Sequence, residues 1–153
     1  LLEVLPTLYA AHHERYAGYT LRRVCNEMHD YYRQADVKGL QGRCFRASSF
    51  PELAMSPESA YEALVGNDVD YVPLREMRGR VSATLALIYP PGIGVIVPGE
   101  RWDARAQPML DYFLAFEESF NRFPGFNYEV QGVYQERVNG RIVFHTYAVR
   151  EKS

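Results

Sequence analysis

The spacing of the apolar residues changes at Asp68, and this change limits the folds open to the chain. Before Asp68 the apolar residues recur every three or four positions, which is typical of amphipathic helices. From Val69 onward, alternating and continuous apolar runs are rich in β-branched residues and are typical of strands. One long apolar helix and a second strand-rich segment follow. The sequence therefore predicts an α+β fold, with helices packed on a small mixed or antiparallel sheet and a C-terminal β-hairpin.

Two of the predicted helices begin at residues that cap helices well. Thr20 precedes a stripe at helical spacing, formed by Leu21, Val24, Cys25, Met28, Tyr31 and Tyr32. Ser56 stands before a proline, which is favoured in the first helical turn, so a helix is predicted over Pro57–Val65. A shorter helix is predicted around Val37–Phe45. A weaker pattern indicates a helix within Leu2–Glu14.

The middle of the chain predicts strands, followed by one helix. The strands are expected at Val69–Leu74, at Val81–Tyr89 and at Ile93–Val97. The helix is expected over Ala104–Phe123, where Asp103 can cap it and leucines, phenylalanines and Met109 form a broad apolar face. We expect this helix to form the core together with Val81–Leu87.

The last part of the chain predicts a hairpin. Asn139-Gly140 is the strongest short turn signal in the sequence, because both residues tolerate the positive φ angles that a two-residue hairpin turn requires. The strand before the turn is expected to start near Tyr128. The strand after it is expected over Ile142–Val149.

Size and charge describe one ordinary globular domain. The 153 residues are 47% hydrophobic and 24% charged, with a net charge of -2, so neither nucleic acid nor an anionic membrane surface is expected as a partner. No apolar stretch approaches the roughly 20 residues of a membrane span. We expect a single domain over residues 1–153, in which residues 1–18 include a connecting helix from a preceding domain. The two cysteines, Cys25 and Cys44, are expected to be reduced thiols in a cytoplasmic protein.

The reactive side chains show no arrangement typical of a catalytic or metal site. His12, His13, Glu14 and His29 do not have the spacing of a zinc motif, so no metal site is predicted. Glu117 and Glu118 are adjacent on the predicted helix and point apart, so they are expected to be a solvated edge. No nucleophile and base stand at a spacing that would predict catalysis.

Two rigid corners flank one short apolar strand in the centre of the sequence. Pro90-Pro91-Gly92 precedes Ile93–Val97, and Pro98-Gly99-Glu100 follows it. Such rigidity either positions a functional group or merely fixes the corners of a buried strand. A dinucleotide site is excluded, because Gly92-Ile93-Gly94 is not followed by a glycine-rich turn and a helix.

The order of several motifs resembles one known family. The motifs are Glu27-Met28-His29-Asp30-Tyr31-Tyr32, Met55-Ser56-Pro57-Glu58-Ser59-Ala60-Tyr61, Gly79-Arg80-Val81-Ser82-Ala83, Tyr89-Pro90-Pro91-Gly92-Ile93, Pro98-Gly99-Glu100 and Pro124-Gly125-Phe126. Together they resemble the C-terminal domain of the bacterial fold-type I ornithine/lysine/arginine decarboxylases. The resemblance spans nearly the whole chain, and the two proline-glycine elements are its most specific part.

The resemblance implies a larger parent enzyme that converts a basic amino acid to its amine with pyridoxal phosphate, as homodimers or decamers. Such chemistry needs a Schiff-base lysine, whereas the lysines here are Lys38 and Lys152 and the family's Ser-x-His-Lys segment is absent. We therefore expect this chain to bind no cofactor and to be inactive alone. Its partners would be the other domains and subunits of the parent enzyme and a small basic substrate.

The resemblance also implies a position for the terminal domain over the mouth of the active site. The residues expected at that entrance, or at a domain interface, are Tyr89, Pro90, Pro91, Gly92, Pro98, Gly99 and Glu100. Glu100 could attract a cationic substrate, or the corners could have a purely structural role. The alternative function is that of a non-enzymatic interaction module, which would dock a partner on the edge of the C-terminal hairpin.

Overall fold

The computed structural model describes residues 10–151. Within that range the α-helices are α1 (His13–Tyr16), α2 (Leu21–Gln34), α3 (Val37–Cys44), α4 (Pro57–Val65) and α5 (Gln107–Arg122). Both predicted caps are confirmed, because the Thr20 hydroxyl accepts a hydrogen bond from the Arg23 N–H and the Ser56 hydroxyl accepts one from the Ser59 N–H. Most of the weak helix predicted within Leu2–Glu14 lies outside the described residues.

The helix predicted from Ala104 begins with a tighter turn. Residues Ala104–Ala106 form a 3-10 turn that leads directly into α5. The Asp103 carboxylate accepts hydrogen bonds from the backbone N–H groups of Arg105 (2.9 Å) and Ala106 (3.2 Å), which would otherwise lack partners at the start of the helix. The predicted cap is therefore correct.

The strands form two separate three-stranded antiparallel sheets. One contains β1 (Val69–Pro73), β5 (Tyr134–Val138) and β6 (Arg141–Val149) in the order β1-β6-β5. The other contains β2 (Ala86–Tyr89), β3 (Gly94–Ile96) and β4 (Glu129–Gln131) in the order β3-β2-β4. The α+β fold is confirmed, with two small sheets where one was expected.

The strand predicted over Val81–Tyr89 is shorter than expected. Only Ala86–Tyr89 forms a ladder, and Val81 and Ser82 make isolated bridges to Arg101 and Ala148. The hydroxyl groups of this segment explain the break. Ser82 donates to the Thr84 carbonyl, and the Thr84 hydroxyl donates to the Gly132 carbonyl, so side chains replace the regular ladder where the chain crosses between the sheets.

The predicted C-terminal hairpin is divided at Gly132. The segment around Val130 pairs with β2 in the other sheet, and only β5 pairs with β6. Gly132 has a φ of 70°, and a Cβ built on it would lie 2.0 Å from the Leu85 carbonyl oxygen, so the switch between sheets requires glycine here. The hairpin turn itself is confirmed, because Asn139 and Gly140 both have positive φ.

The main core lies between α5, α3 and the two sheets. Phe113, Phe120 and Phe144 are completely buried, and the rings of Phe120 and Phe144 meet edge to face at 5.3 Å. The prediction that α5 forms the core is correct. The predicted contribution of Val81–Leu87 is divided, because Val81 and Ala83 pack in a second, smaller cluster against α4.

Over residues 10–151, no helix has both the length and the apolar character needed to span a membrane.

Candidate functional site

A groove opens on the surface between α2, α3, α5 and the first proline corner. Its volume is about 570 Å³, and we call it the aromatic groove. It is lined by His29, Tyr32, Arg33, Asp36, Val37, Lys38, Gln41, Pro90, Tyr112, Phe116 and Tyr128. Four of these residues are tyrosines or a phenylalanine, and five are charged or polar. A concave surface of this size that combines aromatic rings with polar groups is typical of ligand sites.

The aromatic rings of the groove are held in fixed positions by contacts with one another. Phe116 meets Tyr112 and Tyr128 edge to face, each with ring centroids 5.2 Å apart, and Tyr32 lies 5.9 Å from it. The Tyr32 hydroxyl is 2.7 Å from the Ser119 hydroxyl, which fixes the ring of Tyr32 against α5. The rings therefore form a preorganised apolar surface.

Tyr112 is the most buried polar group of the groove. Its side chain belongs to a residue that is only 4% exposed, and burial raises the pKa of its phenol to about 12. Among residues 10–151 its hydroxyl has no hydrogen-bond partner, whereas the hydroxyls of Tyr16, Tyr31 and Tyr32 do. In residues 10–151 the buried side-chain atom that lacks a hydrogen-bond partner is Trp102 Nε1, so the Tyr112 oxygen reaches the surface of the groove, where it is a neutral donor with unused capacity.

The rim of the groove carries an excess of positive charge. The carboxylate of Asp36 is 2.9 Å from a guanidinium nitrogen of Arg43, so its charge is already paired. Arg33 and Lys38 are exposed, and neither forms an ion pair with a residue in the described part of the chain. Two cations therefore remain available at the groove.

The first corner, Tyr89–Gly92, stands beside this groove and projects from the domain. Pro90 lines the groove, and both the Tyr89-Pro90 and the Pro90-Pro91 peptide bonds are cis. Tyr89 is 55% exposed, and its ring covers Gly92, where a Cβ would lie 2.8 Å from the ring. Ile93 next to it is also 55% exposed. The corner therefore presents apolar groups outward.

The second corner is held by the domain itself. Gly99 has a φ of 90°, and a Cβ on it would lie 2.3 Å from the Met55 carbonyl oxygen. Its N–H donates to the Ser82 carbonyl, and its own carbonyl accepts from the Ala54 N–H. The structure thus separates the seven predicted site residues into an exposed corner and a corner built into the surrounding backbone.

Glu100 closes the turn of the second corner. Its carboxylate accepts a hydrogen bond of 2.8 Å from the Val97 N–H, and the residue is partly buried. Burial raises the pKa of this carboxyl above its ordinary value; the Val97 hydrogen bond opposes that shift, and the nearby charge of Asp103 adds to it.

The predicted solvated edge at Glu117 is wrong, while Glu118 is partly exposed as expected. Glu117 is 7% exposed, and its carboxylate accepts hydrogen bonds from the Phe144 N–H (2.6 Å) and from Arg75 (2.5 Å). Adjacent glutamates on a helix point apart, so one of them can face the sheet while the other faces solvent. The helical spacing carried a signal for this burial, because Glu117 stands four residues after Phe113 and three before Phe120 on the apolar face, although its partner N–H belongs to a distant strand.

The histidines considered as metal ligands are dispersed. His12 packs edge-on against the ring of Tyr16, and His29 lies at the aromatic groove. Within residues 10–151, no group of three or more histidine, cysteine or acidic side chains is placed to hold a metal ion. Cys25 is exposed and Cys44 is buried, and both are free thiols.

The sequence and the fold match those of one family. Residues 38–150 match the family described as Orn/Lys/Arg decarboxylase, C-terminal domain, and the chain belongs to this family. It is similar to the inducible ornithine decarboxylase of Escherichia coli, with 46% identity over 99% of this chain. It is also similar to the lysine decarboxylase LdcA of Pseudomonas aeruginosa, with 40% identity over 92% of this chain.

Solved structures show the same fold. Lysine decarboxylase A from Pseudomonas aeruginosa matches with a TM-score of 0.85 and 33% identity over 98% of this chain. The constitutive lysine decarboxylase of E. coli matches with a TM-score of 0.83 and 29% identity. The chain covers only about 20% of each of these proteins.

Proposed function

We propose that this chain is the C-terminal accessory domain of a pyridoxal-phosphate-dependent decarboxylase that converts a basic amino acid to its amine and carbon dioxide. The observation that carries the proposal is the 46% identity to an ornithine decarboxylase over 99% of the chain. Ornithine is the first substrate to test, because the ornithine decarboxylase relative is more similar to this chain than the lysine decarboxylase LdcA is. Kinship with these bacterial enzymes also supports a cytoplasmic location.

The described residues do not fit a pyridoxal phosphate site. The cofactor needs a lysine for its Schiff base and a carboxylate for its pyridinium nitrogen. Lys38 is exposed at the rim of the aromatic groove, and the nearby Asp36 carboxylate is paired with Arg43. We therefore place the cofactor in the preceding part of the enzyme.

The proposed contribution of this domain is to contact the preceding domains and to border the active-site entrance. The exposed first corner supports this role, since Tyr89 and Ile93 present apolar surface that a neighbouring domain would cover. The second corner supports it indirectly, because Gly99 and Glu100 hold the intervening strand in place. The start of the described chain packs on this same domain, since the Tyr16 hydroxyl donates to the Pro124 carbonyl just after α5.

The experiment is to express the full-length protein and measure carbon dioxide release from ornithine, lysine and arginine with pyridoxal phosphate. The 153-residue chain alone, incubated in the same way, is expected to show neither activity nor the absorbance of a cofactor aldimine. Light scattering would show whether the full-length protein forms the dimers or decamers proposed for it. A full-length protein that decarboxylates none of the three amino acids would contradict the proposal.

A Glu100→Gln variant distinguishes two possible roles of the second corner. If the Glu100 carboxylate draws in a cationic substrate, Glu100→Gln raises KM, and the effect is larger at low salt than at high salt. If it only closes the turn with Val97, the variant changes stability and leaves KM unchanged at every ionic strength. Glu62→Gln, at an exposed carboxylate on α4, is the matched control for a general loss of negative charge.

The alternative function, a docking module without enzymatic activity, is favoured by one observation. Strand β5 is an edge strand, and all five of its residues are exposed. Such an edge can accept a strand from a partner. Replacement of the edge residue Gln135 by proline would block strand addition without affecting decarboxylation, so binding and activity measured on the same variant distinguish the two functions.

A further inference from the structure

We propose that the aromatic groove is a binding site for a small planar aromatic carboxylate. This inference concerns the groove alone and goes beyond the proposed decarboxylase function. Its ligand would lie with its ring on the tyrosine and phenylalanine surface and with its anionic group toward Tyr112 and the rim cations.

The size and the surface of the groove select a small aromatic ring. A volume of about 570 Å³ lies within the range of small-molecule sites. Tyr32, Phe116 and Tyr128 offer edges and faces of rings that an aromatic ligand can contact in offset or edge-to-face geometry. Because these rings are already fixed by contacts with each other and with Ser119, little ordering is needed when a ligand binds.

The hydroxyl of Tyr112 gives the groove a specific polar contact. The hydroxyls of Tyr16, Tyr31 and Tyr32 each have a hydrogen-bond partner within the domain. Tyr112 is 4% exposed, lines the groove, and has no such partner among residues 10–151. Because its phenol stays protonated, the group donates, and its natural complement is an acceptor such as a carboxylate.

The charges of the rim select an anion over a cation. Arg33 and Lys38 lack ion pairs within the described residues, while the carboxylate of Asp36 is occupied by Arg43. A ligand carboxylate therefore meets two available cations and no unpaired anion of the groove lining. A cationic ligand would meet the same two cations, so the rim favours an anion over a basic amino acid.

The test uses 2-naphthoate as the probe and its neutral isostere 2-naphthamide as the comparison. Each compound is titrated calorimetrically into the 153-residue chain. The naphthoate is expected to bind about 10-fold more tightly than the amide at low salt, and this preference is expected to shrink as salt is raised. Proton–nitrogen NMR correlation spectra of the backbone amides should show chemical-shift changes in α2, α3 and α5. These changes should saturate with the affinity measured by calorimetry.

Two variants localise the contacts. Tyr112→Phe removes only the hydroxyl and is expected to weaken naphthoate about 3- to 10-fold with little effect on the amide. Combined Arg33→Gln and Lys38→Gln should remove most of the preference for the anion. Arg137→Gln is the matched control, because Arg137 is exposed on β5 and does not line the groove. Circular dichroism of each variant verifies that its fold is retained.

Equal binding of naphthoate and naphthamide, or naphthoate affinity unchanged by the Tyr112 and rim variants, would overturn the proposal. Absence of naphthoate binding to the wild-type chain would overturn it as well. Failure of the full-length protein to decarboxylate any amino acid would leave this result untouched, so the two proposals are tested separately.

Discussion

The carboxylate of Glu117 lies 2.6 Å from the backbone nitrogen of Phe144, and this hydrogen bond joins the middle of α5 to the middle of β6. The same carboxylate accepts a hydrogen bond from Arg75, which follows β1 in the chain. One buried carboxylate thus connects the core helix with the central strand of a sheet and with the segment that follows the edge strand β1. A hydrogen bond between a charged group and a backbone N–H in a buried position is stronger than a neutral one.

Replacing Glu117 should therefore destabilise the domain. Glu117→Ala leaves the Phe144 N–H buried without a partner, and we expect the free energy of unfolding to fall by about 2–4 kcal/mol. Urea unfolding would measure the change. Glu118→Ala is the matched control on the same helix turn, and its partly exposed ion pairs are expected to contribute less than about 1 kcal/mol. Equal losses for the two variants would contradict the assigned role of Glu117.

The core position of Phe113 gives a second prediction. Its side chain is completely buried and contacts the rings of Trp102 and Tyr112. Phe113→Ala should reduce the free energy of unfolding by about 3–5 kcal/mol, because it removes buried area and leaves a cavity. Tyr61→Ala, at a residue 62% exposed on α4, is the control and should change stability little. An unchanged thermal midpoint for the Phe113 variant would show that α5 does not form the core.

Gly132 and Gly140 allow the cost of backbone strain alone to be compared with the cost of strain plus a steric clash. Gly132 and Gly140 both have positive φ, but only at Gly132 would a Cβ meet backbone, the Leu85 carbonyl at 2.0 Å. Gly140→Ala is expected to cost about 1–2 kcal/mol from backbone strain alone. Gly132→Ala is expected to cost about 4 kcal/mol or more, because the crossing between the two sheets must open. Thermal unfolding of both variants tests this difference, and equal midpoints would refute it.

The raised pKa of Glu100 gives a prediction for pH dependence. Because burial raises this pKa in the folded state, the folded protein binds the proton more tightly than the unfolded chain does. The resulting stabilisation is fully present below the unfolded value near 4.5 and is lost as the pH rises through the folded value. Glu100→Gln should remove this dependence, so the stability of the wild type relative to the variant should fall between pH 4 and pH 7. Urea unfolding across that range measures it, and a difference that grows with pH would reverse the assigned sign.

Local patterns allowed much of the fold to be predicted. Thr20, Ser56 and Asp103 cap helices because their side chains reach N–H groups two or three residues away. The Asn139-Gly140 turn is equally local, since it depends on the φ angles of those two residues. The resemblance to the decarboxylase C-terminal domain rested on six motifs in order, of which the two proline-glycine corners were the most specific, and the family match confirms it.

Other features depend on partners that are distant in the sequence. The strand expected over Val81–Tyr89 is interrupted because the Thr84 hydroxyl bonds to the Gly132 carbonyl, 48 residues away. The segment near Val130 leaves the hairpin because β2 offers it an edge. Neither the Thr84 hydrogen bond nor the pairing of the Val130 segment with β2 leaves a signal in the local sequence. The alternation of apolar residues therefore predicted regular strands in both segments.

The sequence by itself determined the class of the fold, its helix starts, its hairpin turn and its family, because these depend on neighbouring residues or on motifs read in order. Only the tertiary structure decided that Glu117 is buried and that Pro90 lies beside Tyr112 and Lys38 in one groove. Burial and the assembly of a groove are set by how α5 packs on β6 and on α3. That packing minimises exposed apolar area over the whole chain, and no single stretch of sequence records it.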